Sequence, residues 1–219
     1  SYSCAEVHVI QTLEIHNCPM LRMKPPLPKA KSWKISDSDN VLSSWDVCIV
    51  SHTSASSSPV TTMLSVRDCK VPLHEWRLLR HFSGLPYLSI NNCGDLTGSP
   101  DIIQLLSSLE ELWLQDEDME ELPIWLGELP SLKNLHIQYS SGVKELNENM
   151  RQLIKLESLE LGFCHSISVV PQWLGELTSL KKLWISNNGG LRSLPASIQQ
   201  LTRLQEIQIN NFPALEHEA

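Results

Sequence analysis

The chain has 219 residues, of which 42% are hydrophobic and 19% are charged, as expected for a folded globular protein. Its formal net charge of −8 disfavours nucleic acids and anionic membranes as primary partners, because both attract basic surfaces. No apolar run approaches the roughly 18 residues that a membrane-spanning helix needs.

A short pattern, Leu-x-x-Leu-x-Leu, recurs along the sequence, and its middle apolar residue is the anchor of each copy. Apolar anchors alternate with other residues, which is the period of a β-strand. In chain order the anchors are Leu13, Trp33, Leu64, Leu88, Leu112, Leu135, Leu159, Leu183 and Ile207. The last six intervals are 24, 24, 23, 24, 24 and 24 residues. This repeat predicts an α/β leucine-rich-repeat solenoid, with a parallel sheet on the concave face and short helices, 3-10 turns and loops on the convex face.

The even spacing predicts a single domain over residues 1–219 with about nine repeats. One irregular, Ser-rich insertion is expected at 40–60, because 31 residues separate Trp33 from Leu64. The first half of this insertion contains several apolar residues and is expected to dock on the solenoid. No terminal cap with a polar outer face is recognised at either end, so we expect the chain to be a fragment of a larger protein.

The segments that cross back between strands differ in kind. Residues 72–82 predict a longer amphipathic helix, with Leu73, Trp76 and Leu79 facing the core. Three later crossings begin with Leu-Pro or Val-Pro, and proline suits the start of a short helix. They span residues 122–129, 170–177 and 194–201. Two tryptophans in these crossings, Trp125 and Trp173, are expected to pack on the convex side.

Four of the six cysteines, Cys18, Cys69, Cys93 and Cys164, lie three residues after the second strand anchor. The repeat takes Asn or Cys at this position, so we expect buried structural thiols and not disulfides. Cys4 and Cys48 have no assigned role. No Asn-x-Ser/Thr glycosylation site occurs in the chain. These features favour a reducing compartment, the cytoplasm, with the nucleus as an alternative.

No motif in the sequence indicates a catalytic, nucleotide-binding or metal-binding site. Gly189-Gly190 follows a strand but lacks the lysine and the spacing of a phosphate-binding loop. No nucleophile elbow occurs, and no pair of Cys and His pairs has zinc spacing. We therefore expect no enzyme activity, no catalytic residue, no cofactor and no metal ion.

Two columns of positions are predicted to lie on the concave face. The column between the strand anchors becomes aromatic or imidazole at Trp113, His136 and Trp184, and the column two residues past the second anchor at Tyr139 and Phe163. Because both change over the same repeats, we expect one exposed patch that binds a protein. The alternative is that aromatic residues favour strands and cover one another. The acidic neighbours expected to favour a partner with basic rim residues are Glu111, Asp116 and Glu160.

Several motifs are more specific than the general repeat. Residues 10–21 and 85–96 follow the line Leu-x-x-Leu-x-Ile-x-x-Cys-x-x-Leu, with Ile10 at the first position of the first copy. The crossings at 122–129 and 170–177 follow Leu-Pro-x-Trp-Leu-Gly-x-Leu, with Val170 in place of Leu in the second. The chain resembles the C-terminal leucine-rich-repeat region of plant intracellular nucleotide-binding leucine-rich-repeat (NLR) disease-resistance proteins.

The resemblance implies a non-catalytic module of plant innate immunity. Such a region helps recognise a pathogen or pest effector, or a guarded host protein, and helps restrain the switch domain of the receptor. It implies an intramolecular contact with a nucleotide-binding domain, which together with a coiled-coil domain would precede this sequence. Neither domain is in the sequence, so nucleotide binding does not transfer to it.

Two other functions remain open. One is the substrate-recognition solenoid of a ubiquitin ligase, which would be marked by an F-box helix bundle. The other is an extracellular leucine-rich-repeat receptor ectodomain. The line Leu96-Thr97-Gly98-Ser99-Pro100 resembles a motif of plant receptor kinases, but it occurs once.

Overall fold

The computed structural model describes residues 9–24, 27–44, 61–82, 84–96, 98 and 100–211. In this part of the chain, nine parallel strands form one open sheet in sequence order. The strands are β1 Ile10–His16, β2 Ala30–Ser36, β3 Met63–Arg67, β4 Tyr87–Asn91, β5 Glu111–Gln115, β6 Asn134–Gln138, β7 Ser158–Gly162, β8 Lys182–Ser186 and β9 Glu206–Asn210. The predicted fold class, an α/β leucine-rich-repeat solenoid, is confirmed.

The predicted anchors set the register of the sheet. Each anchor pairs with the next along the whole row, from Leu13 opposite Trp33 to Leu183 opposite Ile207. From Leu64 to Leu183 the anchors are almost completely buried. Residues between them point to the other face, which we call the open face and which corresponds to the predicted concave face. Sequence period and strand register therefore agree.

Short helices cover the opposite side of the core. In the described segments two are α-helical, α1 Asp39–Ser43 and α2 Pro100–Leu105. The 3-10 helices are Leu73–Glu75, Arg77–His81, Ile124–Glu128, Glu148–Gln152, Gln172–Glu176 and Ala196–Gln200. Pro123, Pro171 and Pro195 each stand immediately before one of them, where a missing N–H costs no helix bond.

The longer helix predicted at 72–82 is wrong. Two 3-10 segments occupy this stretch, and Trp76 separates them with a non-helical ψ of 69°. Its indole N–H donates a hydrogen bond to the Val71 carbonyl at 2.9 Å, which holds the chain in this bend. The inward assignment is correct, since Leu73, Trp76 and Leu79 are all buried.

The predicted insertion lies mostly outside the described residues. Of its first half, Val41 and Leu42 belong to α1 and are fully buried, as expected for a docked segment. The Ser-rich part and Cys48 fall within the residues 45–60 that the structure does not describe, and Cys4 also lies outside. No helix in the described segments is long and apolar enough to cross a membrane.

The motif cysteines lie at the inner side of the bends that follow the strands. Cys69, Cys93 and Cys164 are buried, Cys18 is half-buried, and all four are free thiols. In the eighth repeat Asn188 takes the same position, and its amide oxygen accepts a hydrogen bond from the Cys164 N–H at 2.7 Å. The Cys93 and Cys164 thiols also donate to backbone carbonyls, each at 3.4 Å, to Asn91 and Gly162 respectively.

The buried anchors generate a prediction about stability. Replacing Leu159, which is 1% exposed, by Ala should lower the free energy of unfolding by about 2–5 kcal/mol, because a cavity replaces its packed side chain. Urea denaturation followed by circular dichroism measures this change. A loss below about 0.5 kcal/mol, as for surface substitutions, would contradict the inward position of Leu159.

The thiols generate a second prediction. Burial raises the pKa of Cys69 to about 11, of Cys93 to about 12 and of Cys164 to about 11. Because the thiolate is the reactive form, these three should resist iodoacetamide at pH 8 in the folded protein. Mass spectrometry of the labelled peptides tests this site by site.

After denaturation without a reductant, all six cysteines of the sequence should titrate as free thiols. A reproducible shortfall of two thiols would show a disulfide. That result would favour the extracellular alternative over a reducing compartment.

Candidate functional site

The open face carries one row of side chains between the buried anchors. In β5, Leu112 and Leu114 are buried while Trp113 between them is only half-buried. The strand register places His136 opposite Trp113, Glu160 opposite His136, and Trp184 opposite Glu160. Neighbouring members of the row therefore lie about 5 Å apart and can contact one another.

Trp113 and His136 form a tight ring stack. Their ring centroids are 3.8 Å apart and the ring planes differ by 8°. The His136 side chain is only 12% exposed because the stack and its neighbours cover it. His136 is therefore not the exposed strand residue that a lone histidine on a sheet would usually be.

Two carboxylates hold this stack in place. Glu160 accepts hydrogen bonds from His136 Nδ1 at 2.7 Å and from Gln138 Nε2 at 2.6 Å. Glu111 accepts one from Trp113 Nε1 at 2.7 Å, and the same oxygen lies 3.8 Å from His136 Nε2. Glu111 and Glu160 are thus engaged within the chain, and their first effect is to fix the orientation of both rings.

Tyr139 and Phe163 form a second, separate stack. They lie in the turns that directly follow β6 and β7, at the rim of the sheet and not on its strands. Their ring centroids are 4.7 Å apart with planes 8° from parallel, and Phe163 also meets His165 edge-on. Tyr139 is 44% exposed and Phe163 36%, so this pair offers more aromatic surface to solvent than an interior pair would.

The backbone of this second pair is strained. Tyr139 and Phe163 have φ angles of 54° and 56°, in the left-handed region that bulky residues rarely adopt. This conformation costs an ordinary residue about 1–2 kcal/mol. In the other repeats with the same turn the position is Asn or Asp, whose side chains tolerate it: Asn17, Asp37, Asp68, Asn92, Asn187 and Asn211. Hydrogen bonds from the Tyr139 N–H to the Gly162 carbonyl and from the Phe163 N–H to the Ser186 carbonyl enforce the turn.

Trp184 stands apart from both stacks. Glu160 lies between it and His136 in the register. Lys182 Nζ is 5.7 Å from its ring centroid, and its buried indole N–H has no hydrogen-bond partner among the residues that the structure describes. The five side chains expected in one patch therefore occur as two stacked pairs and one isolated tryptophan.

Asp116 completes the predicted set, at the turn after β5. Its carboxylate accepts a hydrogen bond from the Asp118 N–H at 2.9 Å, and partial burial raises its pKa. Among the described residues of its column it is the exception that lacks a positive φ. This turn follows the anchor Leu112, where the interval to the next anchor is one residue shorter than its neighbours.

A row of amide side chains was missed by the sequence reasoning. Asn91 donates to Gln115 at 2.5 Å, Gln115 donates to Gln138 at 3.1 Å, and Gln138 donates to Glu160. The row crosses β4 to β7 and supports the carboxylate that holds His136. Its signal in the sequence is three successive amides at the position one residue past the second strand anchor.

The described residues contain no group of three or more His, Cys, Asp or Glu side chains able to hold a metal ion. The arrangement is instead a rigid polar and aromatic surface on a sheet. Such a surface can bind another molecule through stacking, apolar contact and hydrogen bonds.

Solved structures show the same fold at low sequence identity. A chain of the Drosophila Toll–Spätzle complex matches with a TM-score of 0.63 and 15% identity, over 93% of this chain and 27% of that one. The leucine-rich repeat domain of the type III effector XopL matches with a TM-score of 0.60 and 15% identity, over 95% of this chain and 70% of that one. A chain of the TLR13–ssRNA13 complex matches with a TM-score of 0.56 and 19% identity, over 92% of this chain and 29% of that one. At these identities the likeness shows the fold alone.

The sequence itself settles the family. No curated protein matches the chain. Residues 41–218, however, match the family described as leucine-rich repeat region, and these residues are most of the chain. The anchors, the sheet register and this match agree, and the chain belongs to the leucine-rich repeat family.

Proposed function

We propose that this chain is the recognition and regulatory module of a plant intracellular immune receptor of the NLR class. Its open face binds a pathogen or pest effector, or a guarded host protein. The same domain contacts the nucleotide-binding domain of the receptor and restrains it. The module acts in the cytoplasm or nucleus and has no catalytic role.

The observation that carries the proposal is the pre-ordered aromatic surface of the open face. Trp113 and His136 are stacked and hydrogen-bonded to carboxylates before any partner arrives. A side chain that is already fixed loses little rotamer freedom on binding, so more of the contact energy appears as affinity. The proposed binding residues are Trp113, His136, Tyr139, Phe163 and Trp184, with Glu111, Asp116 and Glu160 as their acidic neighbours.

The family supports a binding role, because a leucine-rich-repeat domain is suited to protein recognition. Among the similar folds, one occurs in the Toll–Spätzle complex and another in a complex with ssRNA. The net charge of −8 favours a protein over a nucleic acid for the chain described here. The plant receptor assignment is supported by the Cys-containing repeat lines and the Leu-Pro-x-Trp-Leu-Gly-x-Leu crossings.

The sequence immediately upstream of this chain tests the class of protein. We expect a nucleotide-binding domain with a glycine-rich phosphate loop there, read from the transcript of the source organism. An F-box helix bundle would instead support the ubiquitin-ligase alternative. A secretory signal would support the ectodomain alternative.

Substitutions on the two sides of the sheet test the binding surface. Trp113→Ala and Trp184→Ala should leave the fold nearly intact and each weaken partner binding by more than about 1 kcal/mol, as expected of aromatic anchors. Calorimetry with the effector or guarded protein measures binding, and thermal unfolding measures stability. Cell death in leaf tissue, scored with the full receptor, measures signalling separately, because loss of restraint would cause death without a ligand.

Trp173→Ala is the matched control, since Trp173 packs against the core on the helical side. It should lower stability and leave binding unchanged. If both open-face variants fold, bind and signal like the wild type, the aromatic residues only cover the sheet, and recognition lies elsewhere.

A further inference from the structure

At the rim pair Tyr139–Phe163, two bulky and partly exposed side chains occupy backbone positions where they lower local stability. The turn after each strand requires a positive φ, and six other repeats meet this requirement with Asn or Asp. Tyr139 and Phe163 meet it with bulky rings that strain the backbone and remain partly exposed. Strain of this kind persists where the surrounding structure enforces it and is concentrated at functional positions.

The pair lies beside a groove of strong negative charge. Tyr139 forms part of the wall of an open groove of about 550 Å³ along the rim. The ionisable groups that line this groove are the carboxylates of Asp68, Asp116, Glu117 and Asp118 and the guanidinium of Arg67. An adjoining groove of about 710 Å³ continues along the rim, and its described lining adds further carboxylates, including Asp37 and Glu120, and the cation Lys70.

An aromatic ring face and nearby carboxylates attract the same kind of side chain. The face of a ring carries negative partial charge and binds a guanidinium or ammonium group. Arginine suits this position better than lysine, because its planar group can stack on a ring and bond a carboxylate at the same time. Neither a phosphate backbone nor an acidic peptide fits a groove with four carboxylates and one cation.

We propose that the Tyr139–Phe163 pair and the acidic groove beside it bind an arginine-bearing segment of the partner protein. One guanidinium stacks on the exposed aromatic surface, and neighbouring basic side chains meet Asp116, Glu117 and Asp118. The proposal rests on the proposed function, since it names the partner chemistry for one part of the open face and its rim. Trp113 and His136 lie in a different stack and are not needed for this contact.

A peptide experiment on the complete chain tests the proposal. The probe is a short fluorescent peptide of alternating arginine and glycine, and binding is followed by fluorescence anisotropy at low salt. The matched probe replaces arginine by citrulline, which keeps the planar shape and removes the charge. We expect the arginine peptide to bind, the citrulline peptide to bind far more weakly, and binding to weaken as salt is added.

The double variant Tyr139→Asn with Phe163→Asn restores the residue type that other repeats use at this turn. It should lower affinity for the arginine peptide at least about five-fold, the effect of one cation–π contact. Its melting temperature should stay equal or rise, because asparagine tolerates the left-handed turn. A purely structural pair would instead give a lower melting temperature and unchanged binding, which would overturn the proposal.

A second variant keeps the test decisive if the first one unfolds. Asp116→Asn with Glu117→Gln removes two charges from the groove and keeps oxygen acceptors, so it should also weaken the arginine peptide. Trp173→Ala, on the helical side of the sheet, is the control and should bind this peptide like the wild type. Equal binding of the arginine and citrulline peptides, or no binding by the wild type, overturns the proposal.

The outcomes separate this proposal from the broader one. Loss of immune recognition in Trp113→Ala together with no arginine-peptide binding would retain the recognition module and reject the arginine-bearing partner. Arginine-peptide binding together with normal immune recognition by the Trp113 and Trp184 variants would retain the arginine-binding groove and reject the aromatic open face as the recognition surface.

Discussion

The stacking of equivalent side chains on neighbouring strands is the interaction on which this molecule depends. A single repeat is too small to bury its own leucines, so each anchor is covered by the anchors before and after it. Leu135, for example, lies between Leu112 and Leu159 in the register and is fully buried. The same register fixes the opposite face. Trp113 and His136 stack because the leucines beneath them are already aligned, so the core and the candidate site are built by one constraint.

That constraint also explains where the regular pattern breaks. A turn with positive φ follows most strands, and its N–H donates to the next strand, as from Asn92 to the Gln115 carbonyl. After β5 the spacing is one residue shorter, and Asp116 adopts a different turn that bonds the Asp118 N–H. The Met119 N–H bonds the Asp116 carbonyl, as the Ile167 N–H bonds the Cys164 carbonyl, so Met119 is the buried apolar residue of this turn. The break brings exposed carboxylates to the rim in the repeat before Tyr139.

The sequence was sufficient for the features that depend on side-chain period. Strand positions, anchor register, buried thiols and the outward column follow from which residues are apolar and how far apart they lie. It was insufficient where backbone angle or pairing decides the outcome. Periodicity places Leu73, Trp76 and Leu79 inward but does not separate an α-helix from two 3-10 turns. It places Tyr139 outward without showing that its backbone is left-handed.

The two aromatic stacks differ in exposure, in backbone strain and in the charge around them. The Trp113–His136 stack is largely covered, and its polar atoms are engaged by Glu111 and Glu160. Because the hydrogen-bonding groups of this stack are already paired, a partner would bind it mainly through close shape complementarity. The Tyr139–Phe163 stack is exposed, strained and adjacent to unbalanced negative charge. Binding at this second stack depends more on charge than on shape complementarity. Its contribution to affinity therefore changes with salt concentration and with the number of basic side chains on the partner. The proposed roles, restraint of one protein and recognition of another, would use these two regions differently, because the energies of the two contacts can change independently.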